Sequence, residues 1–161
     1  MASENTQTVA VLNGPNMNWL GRREPEIYGS TTLDELEEAL VMRGKALGWH
    51  VECYQNNSEG ALVDAIYAFA ARGIRNFIVN AGAYTHTSVA LRDALSSVQA
   101  RFLEVHISNV YQREAFRHTS YLSDIAQGVI AGCGIQGYTL ALQWFAHQEA
   151  AGSADTGAMR S

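Results

Sequence analysis

Lysine is nearly missing from this 161-residue chain: ten of its eleven basic residues are arginine, and Lys45 alone carries an amine side chain. A reaction that runs through a Schiff base has one candidate here. Lys45 falls in a segment that reads as a solvent-facing helix, which makes amine catalysis improbable. Basic clusters are missing too. With a net charge of −5 and no stripe of Lys/Arg, the chain has little with which to neutralise phosphates, so no nucleic-acid partner is expected. Cysteine is scarce, and Cys53 and Cys133 lack metal-ligand spacing, which argues against a disulfide framework and for a reducing cytoplasm. The five histidines are scattered without an H-x-x-H or H-x-x-x-H pair, so no metal site is expected. No apolar run approaches the ~18 residues that span a bilayer, and the polar start MASENTQ shows no cationic-then-apolar secretory pattern; no membrane association is expected.

What remains is a chain with 47% hydrophobic and 17% charged residues, enough to build one substantial core. Short apolar strands at 8–12, 49–54, 77–79, 102–105 and 128–131 alternate with helical patterns at 32–47, from Ser58 to near Gly73, 87–95, a short helix around 113–117, and 138–148. Thr31 or Thr32 is the expected cap of the first helix and Gly48 its stop. This alternation predicts an α/β fold, a flavodoxin-like three-layer sandwich around a five-stranded parallel sheet of order 2-1-3-4-5. One catalytic domain is expected over 1–150, followed by a flexible tail over 151–161.

Ligands of such sheets bind beyond the carboxyl ends of the strands, at the switch point between strands 1 and 3. Three polar loops follow strands 1, 3 and 4 there: Asn13 to Asn16, Asn80 to His86, and His106 to Asn109. The first runs into 13–29, NGPNMNWLGRREPEIYG, which holds both prolines and shows no regular period. A loop of this length in a compact domain is usually functional or disordered.

Tyr28 lies in that loop with Arg22 and Arg23. By itself it fits a loop aromatic packed on the surface; beside a guanidinium, which favours the phenolate, a tyrosine also suits a general base. His106 ends strand 4, two residues after Glu104 on the same face. The pair fits either a structural hydrogen bond or an imidazole oriented and kept protonated by a carboxylate, as a general acid requires. His86 stands at the start of the third helix with Thr85, Thr87 and Ser88, where Thr85 would be an ordinary N-cap or the helix start would recognise hydroxyls or a carboxylate. Ser108, with the amides of Ile107 and Ser108, offers an anion cradle. Arg113 and Arg117 fit a carboxylate clamp or a solvated basic face.

The run Gly132-Cys-Gly134-Ile-Gln-Gly137 matches the dinucleotide fingerprint, yet it follows the last strand, where no further strand can carry the required acid. Close packing of the last helix explains it better. A flavin or anion module would need a phosphate loop after strand 1, and Pro15 removes an amide donor from that position.

Taken together, 13–29, NAGAYTHTSVALRDAL (80–95) and EVHISNVYQREAFRHTSYLSDIAQGVIAGCGIQGY (104–138) resemble type II 3-dehydroquinate dehydratases over residues 8–148. The resemblance implies a flavodoxin-like fold and cofactor-free dehydration of 3-dehydroquinate through an enolate. It implies Tyr28 as base, Arg23 as the arginine that tunes it, Asn16 as holder of a water on the enolate oxygen, and His106 as acid. Asn80, His86, Ile107, Ser108 and Arg117 would bind substrate, Arg113 would close over it, and Asp93 would reach the site of a neighbouring subunit in a dodecamer built from trimers. The related type I enzymes use a lysine imine, which a chain with Lys45 alone cannot plausibly form. Met17 and Trp19 depart from the aliphatic residues expected there and bear on the lid and the hydrophobic rim.

Overall fold

A computed structural model describes residues 6–158, apart from the side chains of 153–158. The five strands are β1 (Gln7–Asn13), β2 (Trp49–Gln55), β3 (Asn76–Asn80), β4 (Arg101–His106) and β5 (Gly128–Ala131). They pair in parallel in the order β2-β1-β3-β4-β5, as the sequence predicts. Successive side chains of a strand face opposite sides, and β1 shows the result. Ala10 and Leu12 enter one core cluster with Leu62, Ile66, Phe69 and Leu95, whereas Val9 and Val11 enter the other with Leu36, Leu40, Tyr138 and Phe145. Burial on both faces explains why the strand reads as an unbroken apolar run.

The helices are α1 (Pro25–Tyr28), α2 (Leu33–Ala46), α3 (Glu59–Ala71), α4 (Val89–Ser97) and α5 (Gln136–Ala158). Thr32 caps α2 by accepting from the Glu35 amide, Ser58 caps α3 from Ala61, and Ser88 caps α4 from Leu91. Each such cap contributes about 1 kcal/mol.

Four local expectations change. Residues 13–29 are not devoid of structure: Met17–Trp19 makes a 3-10 turn and Pro25–Tyr28 a single helical turn with Pro25 in its first position, where the ring's fixed φ suits a helix start. Thr85 does not cap α4. It sits inside the 3-10 segment Gly82–His86, fully buried, and Ser88 takes the capping role. The short helix expected around 113–117 is two 3-10 turns, Val110–Gln112 and Ala115–Arg117. Finally, α5 runs to Ala158 rather than ending at 148; the added segment is alanine-rich and proline-free, and the helix continues through Gly152 and Gly157 despite their low propensity. Positions 159–161 of the expected tail lie outside the described residues.

Candidate active site

Two backbone approaches bring the strand ends together. The Gly14 amide donates to the Asn80 carbonyl at 2.8 Å, and a Cβ on Gly14 would stand 2.3 Å from the Ala81 oxygen. Gly82, at φ +59, faces the Pro15 carbonyl, which a Cβ would approach to 3.2 Å. Glycine suits both crossings, which draw the β1 and β3 loops to one point. Beyond them opens a cavity of about 180 Å³, walled by the β1, β3 and β4 loops and by residues of the 13–29 segment.

Ten of the residues singled out from sequence line this cavity: Asn16, Arg23, Tyr28, Asn80, His86, His106, Ile107, Ser108, Arg113 and Arg117. Glu104 stands behind His106, and Asp93 lies elsewhere, on α4, its carbonyl accepting from the Ser97 hydroxyl. Met17 and Leu20 supply apolar wall from the opening loop. Trp19 is half exposed beneath the Arg22 guanidinium, 5.0 Å from its ring centroid, and takes no part in the wall.

His106 is buried, and its Nε2 lies 2.5 Å from the Glu104 carboxylate. Glu104 is only 1% exposed. Its other oxygen accepts from the hydroxyls of Ser120 at 2.9 Å and Ser123 at 2.8 Å. Burial alone would raise the Glu104 carboxyl. Hydrogen bonding and charge from His106, together with the Ser123 and Ser120 hydroxyls, outweigh that effect and hold it below the ordinary carboxylate value. The sequence reading missed both serines. Their signal was the S-x-x-S spacing of 120–123 and the demand of a buried carboxylate for donors on both oxygens. An imidazole whose Nε2 faces a carboxylate keeps Nδ1 for other partners, and in the charged form that nitrogen is a proton donor.

His86 is stacked beside His106 with ring centroids 6.4 Å apart. Its Nδ1 meets the Thr119 carbonyl at 2.8 Å. A carbonyl only accepts, so Nδ1 carries a proton and Nε2 is left for hydrogen bonding elsewhere.

Across the cavity the arginine partners of Tyr28 differ from expectation. Arg113 donates from Nη1 to the Tyr28 oxygen at 2.7 Å, whereas Arg23 lies over the ring face at 5.7 Å and pairs with Glu24 at 3.4 Å. The phenol at the end of the single turn α1 meets Arg113 in the segment after β4, while Arg23 pairs with Glu24. Two cations therefore flank one phenol, one at its hydroxyl and one on its face. Arg117 is the remaining cation of the wall, with its Nε on Glu114 at 2.5 Å.

Asn16 takes a left-handed conformation at φ 71, and its amide donates to Asn57 Oδ1 at 3.0 Å. Gln55 bridges Asn57 and the Gly14 carbonyl, so the loop after β2 anchors the loop after β1. Asn80 is buried at the end of β3; its Nδ2 donates to the Tyr138 hydroxyl at 2.8 Å and its Oδ1 accepts from the Gly82 amide at 3.2 Å. The G-x-G-x-x-G run takes positive φ at Gly132 and Gly134, and Gly137 packs against Val105 and Ile130, where a Cβ would come within 3.3 Å of Val105. Those glycines serve a tight turn and helix-to-sheet packing. Among the described residues no group of three or more His, Cys, Asp or Glu side chains is arranged to hold a metal, and no helix is long and apolar enough to cross a membrane.

Comparison with known proteins gives the family. The sequence profile of the family "Dehydroquinase class II" matches residues 7–146. A catabolic 3-dehydroquinase of Debaryomyces hansenii is 54% identical over 136 residues, covering 84% of this chain and 94% of its own. A 3-dehydroquinate dehydratase of Ruegeria pomeroyi is 55% identical over 136 residues, covering 84% of this chain and 90% of its own. The crystal structure of type II dehydroquinase from Propionibacterium acnes superposes with a TM-score of 0.84 at 44% identity, over 90% of this chain and 99% of that one. With the family profile spanning nearly the whole sheet and relatives above half identity, this chain belongs to the class II dehydroquinases.

Proposed function

We propose that this protein removes water from 3-dehydroquinate to give 3-dehydroshikimate, by anti elimination through an enolate, without cofactor and without a Schiff base. The observation that carries the reading is the pairing, across one cavity, of a phenol under a guanidinium with an imidazole backed by a buried carboxylate. Tyr28 as phenolate takes the proton beside the ketone, and the electron pair moves onto the carbonyl oxygen. Arg113 at the phenol oxygen and Arg23 over its ring set positive charge where the phenolate acts. Asn16 holds a water against the enolate oxygen, where developing charge needs a donor. As the enolate collapses, the β-hydroxyl leaves with a proton from His106, because hydroxide is a poor leaving group. The departing hydroxyl and the His106 proton make the water; the substrate proton left on Tyr28 balances the one His106 gave up, and exchange with solvent returns both groups to their starting forms.

Substrate binding falls to Asn80, His86, Arg117 and the Ile107–Ser108 segment, with the carboxylate at Ser108. Lys45, the only lysine, is exposed on α2 and away from the cavity, which supports an enolate rather than an imine route. Asp93, on α4, serves the site of a neighbouring subunit in a cytoplasmic dodecamer, a tetramer of trimers. Because the same site serves aromatic biosynthesis and quinate breakdown, either pathway can use it; the name of the Debaryomyces relative supports the second.

The test is to add 3-dehydroquinate and follow ultraviolet enone absorbance for wild type, Tyr28→Phe and His106→Ala. Product from wild type with large losses in both variants is expected. Wild type without dehydration overturns the reading, and borohydride inactivation in the presence of substrate overturns the enolate route.

A further inference from the structure

Asn80 is placed to touch substrate, yet a carboxamide can present either its oxygen or its amino group to a ligand. Here the choice is made by a chain of buried hydrogen bonds. The Gly82 amide, held in its turn by a positive φ against Pro15, can only donate, so the Asn80 atom facing it at 3.2 Å is the oxygen. Asn80 Nδ2 therefore points the other way, toward the Tyr138 hydroxyl at 2.8 Å. That nitrogen is a donor, which leaves the Tyr138 proton to be given elsewhere, and it goes to Asn13 Oδ1 at 2.5 Å. Every proton in the chain has one direction.

Tyr138 and Asn13 are fully buried, and neither lines the cavity. Tyr138 stands in the first turn of α5, brought beneath the strand ends by the close packing of Gly137 on Val105 and Ile130. The glycine run that imitates a dinucleotide loop thus delivers a phenol to the junction of β1 and β3. After these bonds Asn80 keeps one oxygen lone pair, while its second N–H donates to the sulfur of Met17 at 3.7 Å, itself part of the cavity wall.

We propose that Tyr138 is a positioning residue: its hydroxyl, backed by Asn13, accepts from Asn80 opposite the Gly82 amide, so that the carboxamide is held at both ends and presents one fixed geometry to the substrate. The inference rests on the dehydratase reading and adds to it a residue that never touches the ligand. Removing the hydroxyl leaves the carboxamide held at its oxygen alone and its nitrogen without the partner that positions it, so the loss falls on substrate binding.

The experiment is a double-mutant cycle in kcat and KM with 3-dehydroquinate. Tyr138→Phe is expected to raise KM about tenfold, the effect of losing one orienting hydrogen bond, with kcat changed far less. In an Asn80→Ala background the same substitution is expected to change KM less than twofold, because its effect is transmitted through Asn80. A merely structural role predicts equal losses in both backgrounds, and that result overturns the proposal. Asn13→Ala, which keeps the Tyr138 ring in the core, is expected to show the same dependence on Asn80 and carries the test if Tyr138→Phe does not fold. Wild-type KM in Tyr138→Phe, or in Asn13→Ala, overturns the inference while leaving the dehydratase reading intact; a wild type inert toward 3-dehydroquinate overturns both.

Discussion

Replacing Glu104 with glutamine keeps the size of the side chain and removes its charge, and the surrounding hydrogen bonds dictate which way the new amide must face. Ser120 Oγ already accepts from the amides of Leu122 at 3.0 Å and Ser123 at 3.2 Å. Both of its lone pairs are engaged, so its own proton must be donated to position 104. In Glu104→Gln the amide oxygen is therefore held on the serine side, and the NH₂ group is turned toward His106 Nε2. An imidazolium would then set N–H against N–H; only a neutral ring, accepting at Nε2, fits. The variant thus disfavours the charged imidazole required by the acid role proposed for His106. General acid catalysis is worth about 10²–10⁴-fold, and kcat is expected to fall within that range, followed by enone absorbance at saturating 3-dehydroquinate. Adding Ser120→Ala releases the constraint on the amide and is expected to restore part of the loss. Wild-type turnover in Glu104→Gln would refute the reasoning, as would a double variant no better than the single one.

The same carboxylate sets a pH dependence of stability. Glu104 titrates lower in the folded chain than in the unfolded one. Its contribution is fully present above the unfolded glutamate value of about 4.3 and is lost as pH falls through the lower folded value. Urea midpoints of wild type should therefore drop across that acidic window, and those of Glu104→Gln should drop less steeply. Parallel curves for the two proteins would remove Glu104 from the account. The geometry dictates three more outcomes. Arg113→Ala removes the charge-assisted donor at the Tyr28 oxygen, and kcat/KM should fall about 10–100-fold with little change in melting temperature; an unchanged kcat/KM would return the tuning role to Arg23 alone. Gly14→Ala sets a Cβ 2.3 Å from the Ala81 oxygen, so urea unfolding should show a loss of about 1–3 kcal/mol or more, with activity falling as the two loops separate. Cys133 is exposed, while burial first and the charge of Glu37 second push the Cys53 thiol up to about 12; thiol reagents should label one cysteine quickly and one slowly, and two fast thiols would contradict the burial of Cys53.

The sheet order is legible because each strand carries its burial in its composition. The run TVAVL is apolar at both parities, which a strand covered on two faces requires, whereas WHVECYQ alternates; five strand runs separated by helices leave few topologies. Cap positions are less legible. Thr85, Thr87 and Ser88 are chemically interchangeable as caps, and what selects Ser88 is the 3-10 turn before it, itself shaped by Gly82 against Pro15. The length of α5 is hidden for the converse reason: small residues with Gly152 and Gly157 among them look like a tail, yet without a proline the alanines carry the helix on to Ala158.

The site divides along the same line. Glu104 and His106 are readable as a pair because two residues apart on a strand is a fixed geometric statement. The partner of Tyr28 is not readable this way, since nearness in sequence favours Arg22 and Arg23 while the phenol turns to an arginine 85 positions away. A loop residue's neighbours are set by how the loop folds back, and here the turn of α1 carries the phenol to Arg113. Ser120, Ser123 and Tyr138 lie further out of reach, being hydroxyls whose only mark is the buried group they satisfy. That group supplies the rule that finds them. Once Glu104 is placed on the inner face of β4, its second oxygen must have donors, and once Asn80 ends β3 its amide must be oriented; the search is then for hydroxyls delivered by the loop after β4 and by the first turn of α5. Unsatisfied demand at a buried polar residue predicts its partners better than their own sequence context does.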